Sequence, residues 1–248
     1  MNKNGFIEKV ILQHNMIKDY EKHPFNLPYI KQIQSLDLHE NVTFFVGENG
    51  AGKSTLLEAI AISLGFSIEG GTKSIHFKTH KNNSPLHKYL KIIKTHRTAS
   101  DFHFLRAESL YNILTYLEGL AKEEPPESNF MKRYRGMSLH NYSHGETFLI
   151  IILEVLKGNG LYIFDEPVEA LSPNRQMSIL TAIHNLVKKK SQFIIATHSP
   201  ILLSYPNAII YKFDETGISK INYEETESFI VSKIFINDYK RMLKILLE

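Results

Sequence analysis

The sequence predicts an α/β fold: a mixed sheet flanked by helices, with an inserted, mainly helical lobe. Three observations carry this reading. Apolar runs in "NVTFFVGENG", "LYIFDEP" and "QFIIATHSP" are short, rich in β-branched and aromatic residues, and apolar at consecutive positions. Strands buried on both faces have that pattern. Each run ends in polar, loop-forming residues, and the first two lead into amphipathic helical sequence. Alternating strand and helix builds a layered sheet with right-handed crossovers.

Taken in order, Phe6 to Gln13 and Ile33 to Leu38 are strand candidates ahead of the first buried run. "KSTLLEAIAISLGF" follows that run as a helix. After the second run, Ser172 is a candidate cap, with Pro173 at the first helical position. Met177, Leu180, Ile183 and Leu186 or Val187 then recur at helical spacing, and Lys188 to Lys190 suit the C-terminal dipole. "NAIIYKF" and "GISKINY" read as a hairpin, and Glu225 to Glu248 as two short helices. Between Gly65 and Tyr142 the pattern changes: a basic, His-rich stretch, a helix from about Ala107 to Lys122, then the loop "PPESNFMKRYRGM". The expected organisation is one domain, 1–248, with residues 1–65 and 143–248 forming an α/β lobe and 66–142 an inserted helical lobe.

Composition narrows the function classes. The chain of 248 residues can bury one large core. It has no cysteine, which removes disulfide and thiolate chemistry and fits a reducing, cytoplasmic setting. No apolar run approaches the ~20 residues needed to span a bilayer, and the N-terminus lacks the apolar stretch of a secretion signal. The formal charge of +3 is slight. Its distribution says more: from Lys73 to Arg97 there are seven Lys/Arg, four His and no acid. Such a stretch suits phosphate backbones or a solvated helical face.

"GENGAGKST" fits G-x-x-x-x-G-K-[ST] through Gly47, Gly52, Lys53 and Ser54, between a strand and a helix. Glycines let the backbone wrap a phosphate chain, with successive N–H groups pointing inward as a nest. The helix N-terminus adds positive partial charge. Asn49, Gly50, Gly52, Lys53, Ser54 and Thr55 are therefore candidate nucleotide contacts. Lys53 can neutralise phosphate oxygens, and the Ser54 hydroxyl can join a Mg²⁺ shell.

Asp165 and Glu166 close the second buried strand, at the sheet edge where ligands bind. Asp165 is the candidate metal residue. Glu166 is the candidate catalytic base for an attacking water. His198, after the third strand, is a candidate donor to phosphate or water. Ser143, with Glu146 three residues on, makes a capping box before "TFLIIILEVLKG". A capped helix start is also an anion site, so the spacing leaves cap and phosphate contact both open.

"GENGAGKST", "NYSHGE", "LYIFDEP", "ALSP" and "ATHSP" occur in the order found in ABC-type P-loop ATPases, and the chain resembles that family over nearly its whole length. It is most similar to the soluble RecF, SMC and Rad50 heads and the short stand-alone bacterial ATPases of that group, whose "FLRAESLYN" it also shares. The resemblance implies ATP and Mg²⁺ as cofactors and a head-to-tail homodimer. Ser143 and Gly145 of one copy would then contact the γ-phosphate held by the other. His144 and Glu146 depart from the transporter signature. No glutamine loop is recognisable; Arg106 or Glu108 lies in its place. Tyr20 and Phe25 are candidates for stacking on adenine. The function expected first is a soluble ATPase acting on nucleic acid or a partner protein such as a nuclease. The second is the ATP-binding subunit of a membrane ABC transporter. A non-hydrolysing clamp is the third, and the intact Asp165, Glu166 and His198 argue against it.

Overall fold

The computed structural model describes residues 5–72, 84–108 and 144–247. Ser143, and all but the first two residues of the helix expected over 107–122, lie outside them. Ala107 and Glu108 form a turn.

The three buried runs become β3 (Val42–Gly47), β6 (Gly160–Asp165) and β7 (Gln192–Ala196). They lie in a six-stranded sheet with β5 (Asp101–Arg106), β8 (Ile209–Asp214) and β9 (Gly217–Ile221), in the order β5-β6-β7-β3-β8-β9. All are parallel except β9, which forms the expected hairpin with β8. Within the expected helical insert, residues 84–106 instead supply β5 and β4 (Leu90–Lys94). β4 pairs with β1 (Ile7–Leu12), which also pairs with β2 (Ser35–Asp37), as a separate antiparallel sheet. β4 is only half-buried and carries lysines at both faces, so its apolar signal is too weak to read locally.

Side chains alternate between the two faces of the large sheet, and the two faces carry different helices. Phe45, Ile163 and Ile194 meet Leu56, Leu57 and Ile60 of α2 (Lys53–Ser63). Phe44, Tyr162, Phe164, Phe193 and Ile195 meet α3 (His144–Ile150), its continuing π-helical turn Ile151–Val155, and α4 (Pro173–Lys188). The buried stripe of α4 is Ile179, Ala182, Ile183 and Leu186. Met177, expected on that stripe, is 49% exposed, so the stripe begins two residues later. Pro173 starts the helix as expected, but the Ser172 side chain makes no capping hydrogen bond. The chain closes with the two expected helices, α6 (Glu227–Asn237) and α7 (Tyr239–Leu247), after a short α5 (Pro200–Leu203).

Gln192 joins the two sheets. Its Oε1 accepts from the N–H of Phe6 at 2.7 Å and of Ile7 at 2.9 Å. Its Nε2 donates to the carbonyls of Ile7 and His39. All four polar valences are used in a fully buried position. Gln192→Leu strands those four backbone groups. It should lower unfolding free energy by about 3 kcal/mol in urea titrations, the cost expected when several buried groups lose partners.

Candidate functional site

Register brings the motifs together. Phe45 and Asp165 both pair with Ala196, so β6 and β7 end level, β3 runs two residues further, and all three release their loops at one edge. The loop after β3 needs its glycines. Gly47 has φ +143°, and a Cβ there would lie 2.1 Å from the Phe213 carbonyl oxygen. Gly52 has φ +92°, and its Cβ would strike the Tyr29 ring at 2.6 Å. Tyr29, buried in α1 (Pro28–Gln32), donates to the Gly52 carbonyl, so the loop rests on an aromatic floor.

Lys53 folds back across the loop, and its ammonium donates to the Gly47 and Glu48 carbonyls at 2.6 and 2.9 Å. Burial lowers its pKa, opposed by the charges of Glu166 and Asp165. Ser54 Oγ donates to Asp165 Oδ1 at 3.0 Å. A hydroxyl and a carboxylate so paired offer hard oxygen donors, which fit Mg²⁺, a cation that takes few protein ligands beside phosphate and water. Among the described residues no group of three or more His, Cys, Asp or Glu could hold a metal unaided. Burial raises the Asp165 pKa, opposed by Arg106, whose Nε lies 3.5 Å from Oδ2.

Glu166 has φ +51°, a left-handed conformation uncommon outside glycine, fixed by its N–H on the Ala196 carbonyl at 3.0 Å. Strained backbone of this kind concentrates at functional sites. Burial pushes the Glu166 carboxyl up to about 7; Lys53 opposes the rise and Asp165 adds to it. His198 Nε2 lies 3.4 Å from Glu166 Oε1. Burial first, then Lys53, lowers the His198 pKa, so the ring is neutral at pH 7. Ser199 caps α5 through Leu202 N–H and donates to Gln176 of α4 at 2.6 Å, which anchors the histidine loop.

Asn49, Gly50, Gly52, Lys53, Ser54, Thr55, Asp165 and Glu166 line one open cleft of about 450 Å³, within the size range of small-molecule sites. His198 sits beyond Glu166 and faces an adjoining hollow beside α6. Gly145 lies in the first turn of α3. Neither aromatic candidate for the base lines the cleft. Phe25 is buried edge-on against Tyr89 at 4.7 Å, and the Tyr20 hydroxyl is bound to His14. His23 and Leu27 occupy that wall instead, in a loop whose sequence carries no apolar period. Glu169 and Glu108 also line the cleft. Only Glu169's place in "DEPVEALSP" hinted at it.

A family profile described as "AAA domain" matches residues 23–191, and one described as "CDC24 Calponin" matches residues 166–247. The chain is 30% identical over 191 residues to a carbohydrate transport ATP-binding protein of Mycoplasma pneumoniae, covering 66% of this chain and 32% of that one. It is 26% identical over 226 residues to an ABC transporter ATP-binding protein of Methanocaldococcus jannaschii, covering 84% and 97%. The chain thus spans about a third of the first relative's length and nearly all of the second's. Among solved structures, cbiO1 from Clostridium perfringens, part of the cbiONQ ABC transporter complex, superposes with a TM-score of 0.54 at 17% identity, covering 98% of this chain and 100% of that one. At that identity the likeness is one of fold.

As the candidate base, Glu166 would act only when deprotonated, and burial pushes its carboxyl up to about 7. The value of kcat/KM for ATP, which reports the free protein, should therefore rise with pH through about 7 and level off above it. A pH–rate profile flat from 5 to 8 would remove Glu166 from that role.

Proposed function

Because the chain belongs to the AAA domain family and is an ABC-type P-loop ATPase, we propose that it binds and hydrolyses Mg-ATP as the cytoplasmic ATP-binding subunit of a membrane transporter, closing head to tail with a second copy. The observation that carries the ATPase reading is the meeting of Lys53, the Ser54–Asp165 pair and Glu166 in one cleft.

Loop N–H groups and the α2 N-terminus receive the phosphate chain, and Lys53 exchanges its carbonyl partners for β- and γ-phosphate oxygens. Ser54 and Asp165 would hold the Mg²⁺, which when bound neutralises charge developing on the transferred phosphoryl. Glu166 takes a proton from water as its oxygen bonds to the γ-phosphorus; the bond to the β-γ bridging oxygen breaks, leaving ADP and phosphate. His198, neutral, orients that water or the phosphate. Ser143 and Gly145 complete the site of the opposite copy. His23 and Leu27 take the base side of the cleft.

The similar proteins named above are transporter ATP-binding proteins, which favours a membrane partner. Among the described residues no helix is long and apolar enough to cross a membrane, so the partner would supply the spanning part. Exposed Ile230, Val231 and Ile234 of α6 and Ile245, Leu246 and Leu247 of α7 offer apolar contact surface. The reading as a soluble RecF/SMC-like ATPase acting on nucleic acid or a nuclease draws on one observation: no glutamine loop is recognisable, and Arg106 or Glu108 lies in its place. Its basic stretch is weakened because Arg97 is used structurally, donating to Asn159 and the Lys190 carbonyl and stacking on Phe6.

Glu166→Gln with Mg-ATP should double the mass seen by light scattering, and adding Ser143→Ala should return it to one copy. Turnover of the native chain should rise with a membrane fraction rather than with DNA. A Glu166→Gln chain that stays single, with native turnover, would contradict the paired-site reading. Stimulation by DNA alone would favour the soluble one.

A further inference from the structure

At the end of β5, Arg106 pairs in register with Asp165. Its guanidinium lies among three carboxylates. Nε is 3.5 Å from Asp165 Oδ2, Nη1 is 3.1 Å from Glu58 Oε2 of α2, and Nη2 is 3.4 Å from Glu108 Oε2. Nη1 also reaches the Ile68 carbonyl at 3.5 Å. Arg106, Glu58 and Asp165 are nearly buried, whereas Glu108 is 85% exposed at the cleft wall. Despite its buried position, Nε makes no hydrogen bond among the described residues. The contact with Asp165 is therefore one of charge, without the geometry of a directed bond.

We infer that Arg106 is a positioning residue that holds Asp165 while no divalent cation is bound and competes with that cation for it. The inference rests on the nucleotide reading above. Asp165 has two oxygens, and both are engaged: Oδ1 by Ser54 and Oδ2 by Arg106. A cation seated between Ser54 and Asp165 meets a fixed positive charge on the far side of the same carboxylate. In a partly buried site that repulsion is far stronger than in water. The guanidinium has somewhere to go, because Glu58 and Glu108 already touch its two terminal nitrogens. Arrival of the metal moves Arg106's charge from Asp165 onto these two. The pairing keeps Asp165 from standing as a bare buried carboxylate.

The test is a Mn²⁺ titration of the full chain saturated with ADP, with free Mn²⁺ read by electron paramagnetic resonance. Metal-free ADP binding is followed by isothermal titration, and thermal unfolding is recorded in EDTA. Arg106→Gln should tighten Mn²⁺ by about threefold or more, since it removes one opposing charge, while lowering the unfolding temperature in EDTA. Arg106→Lys, which keeps the charge, should stay near the native affinity. Glu108→Gln, at an exposed position that folding does not need, removes a resting place for Arg106 and should weaken Mn²⁺. A merely structural arginine would lower stability without tightening the metal. Unchanged or weaker Mn²⁺ binding in Arg106→Gln overturns the inference, as does unchanged binding in Glu108→Gln should the arginine variant not fold. Failure of ADP itself to bind the native chain would overturn the underlying nucleotide reading and this inference with it.

Discussion

Parallel pairing of β3 and β6 on either side of β7 is the constraint on which the rest depends. These strands are buried on both faces, and their register is fixed by the side chains they deliver to each layer. A slip of one residue would turn every apolar side chain to the other face. It would also move Gly47, Asp165 and the start of the His198 loop out of line. The core packing that holds Phe44, Phe164 and Phe193 against α3 and α4 is thus what sets the distance between phosphate loop and carboxylates.

Within that frame the cleft is a charge problem. Lys53 and Arg106 stand as cations; Glu58, Asp165 and Glu166 stand as carboxylates, all at least partly withdrawn from water. Burial raises the pKa of all three carboxylates, and the cations oppose it. The site holds its charges in reserve. Lys53 is tied to backbone carbonyls, Asp165 to Ser54 and Arg106, and Glu166 stands beside the neutral His198. On the proposed function, a triphosphate with a divalent cation would replace these partners. Such preorganisation lets a few fixed groups act on charge that develops during reaction.

Much of this was legible in the sequence, and the reasons are local. Gly47, Gly52 and Lys53 announce their loop because their spacing within one short stretch is itself the signal, although the groups that crowd the two glycines, Phe213 and Tyr29, lie far off in the chain. β6 and β7 announce themselves by continuous apolarity. What escaped depends on contacts distant in the chain. β4 and β5 were read as part of a helical lobe, since their strand character comes from pairing with β1 and β6 rather than from a clean period. The helical spacing places Met177 on the buried stripe of α4, yet it is exposed, because a methionine at that spacing looks the same in sequence whether or not a neighbour covers it. Tyr20 and Phe25 are candidates for the base because aromatics suggest stacking, yet one is bound to His14 and the other fills the core. Arg106 was visible as a residue in an unusual place. Its action on Asp165 required knowing that α2 and β6 flank it.

If the cleft takes a triphosphate through Lys53, isothermal titration of a non-hydrolysable ATP analogue with Mg²⁺ into native and Lys53→Ala chains will separate the two. The native chain should show saturable binding, and Lys53→Ala should lose most or all of it with thermal stability little changed. Equal affinity in the two chains would rule out Lys53 as the phosphate-binding cation.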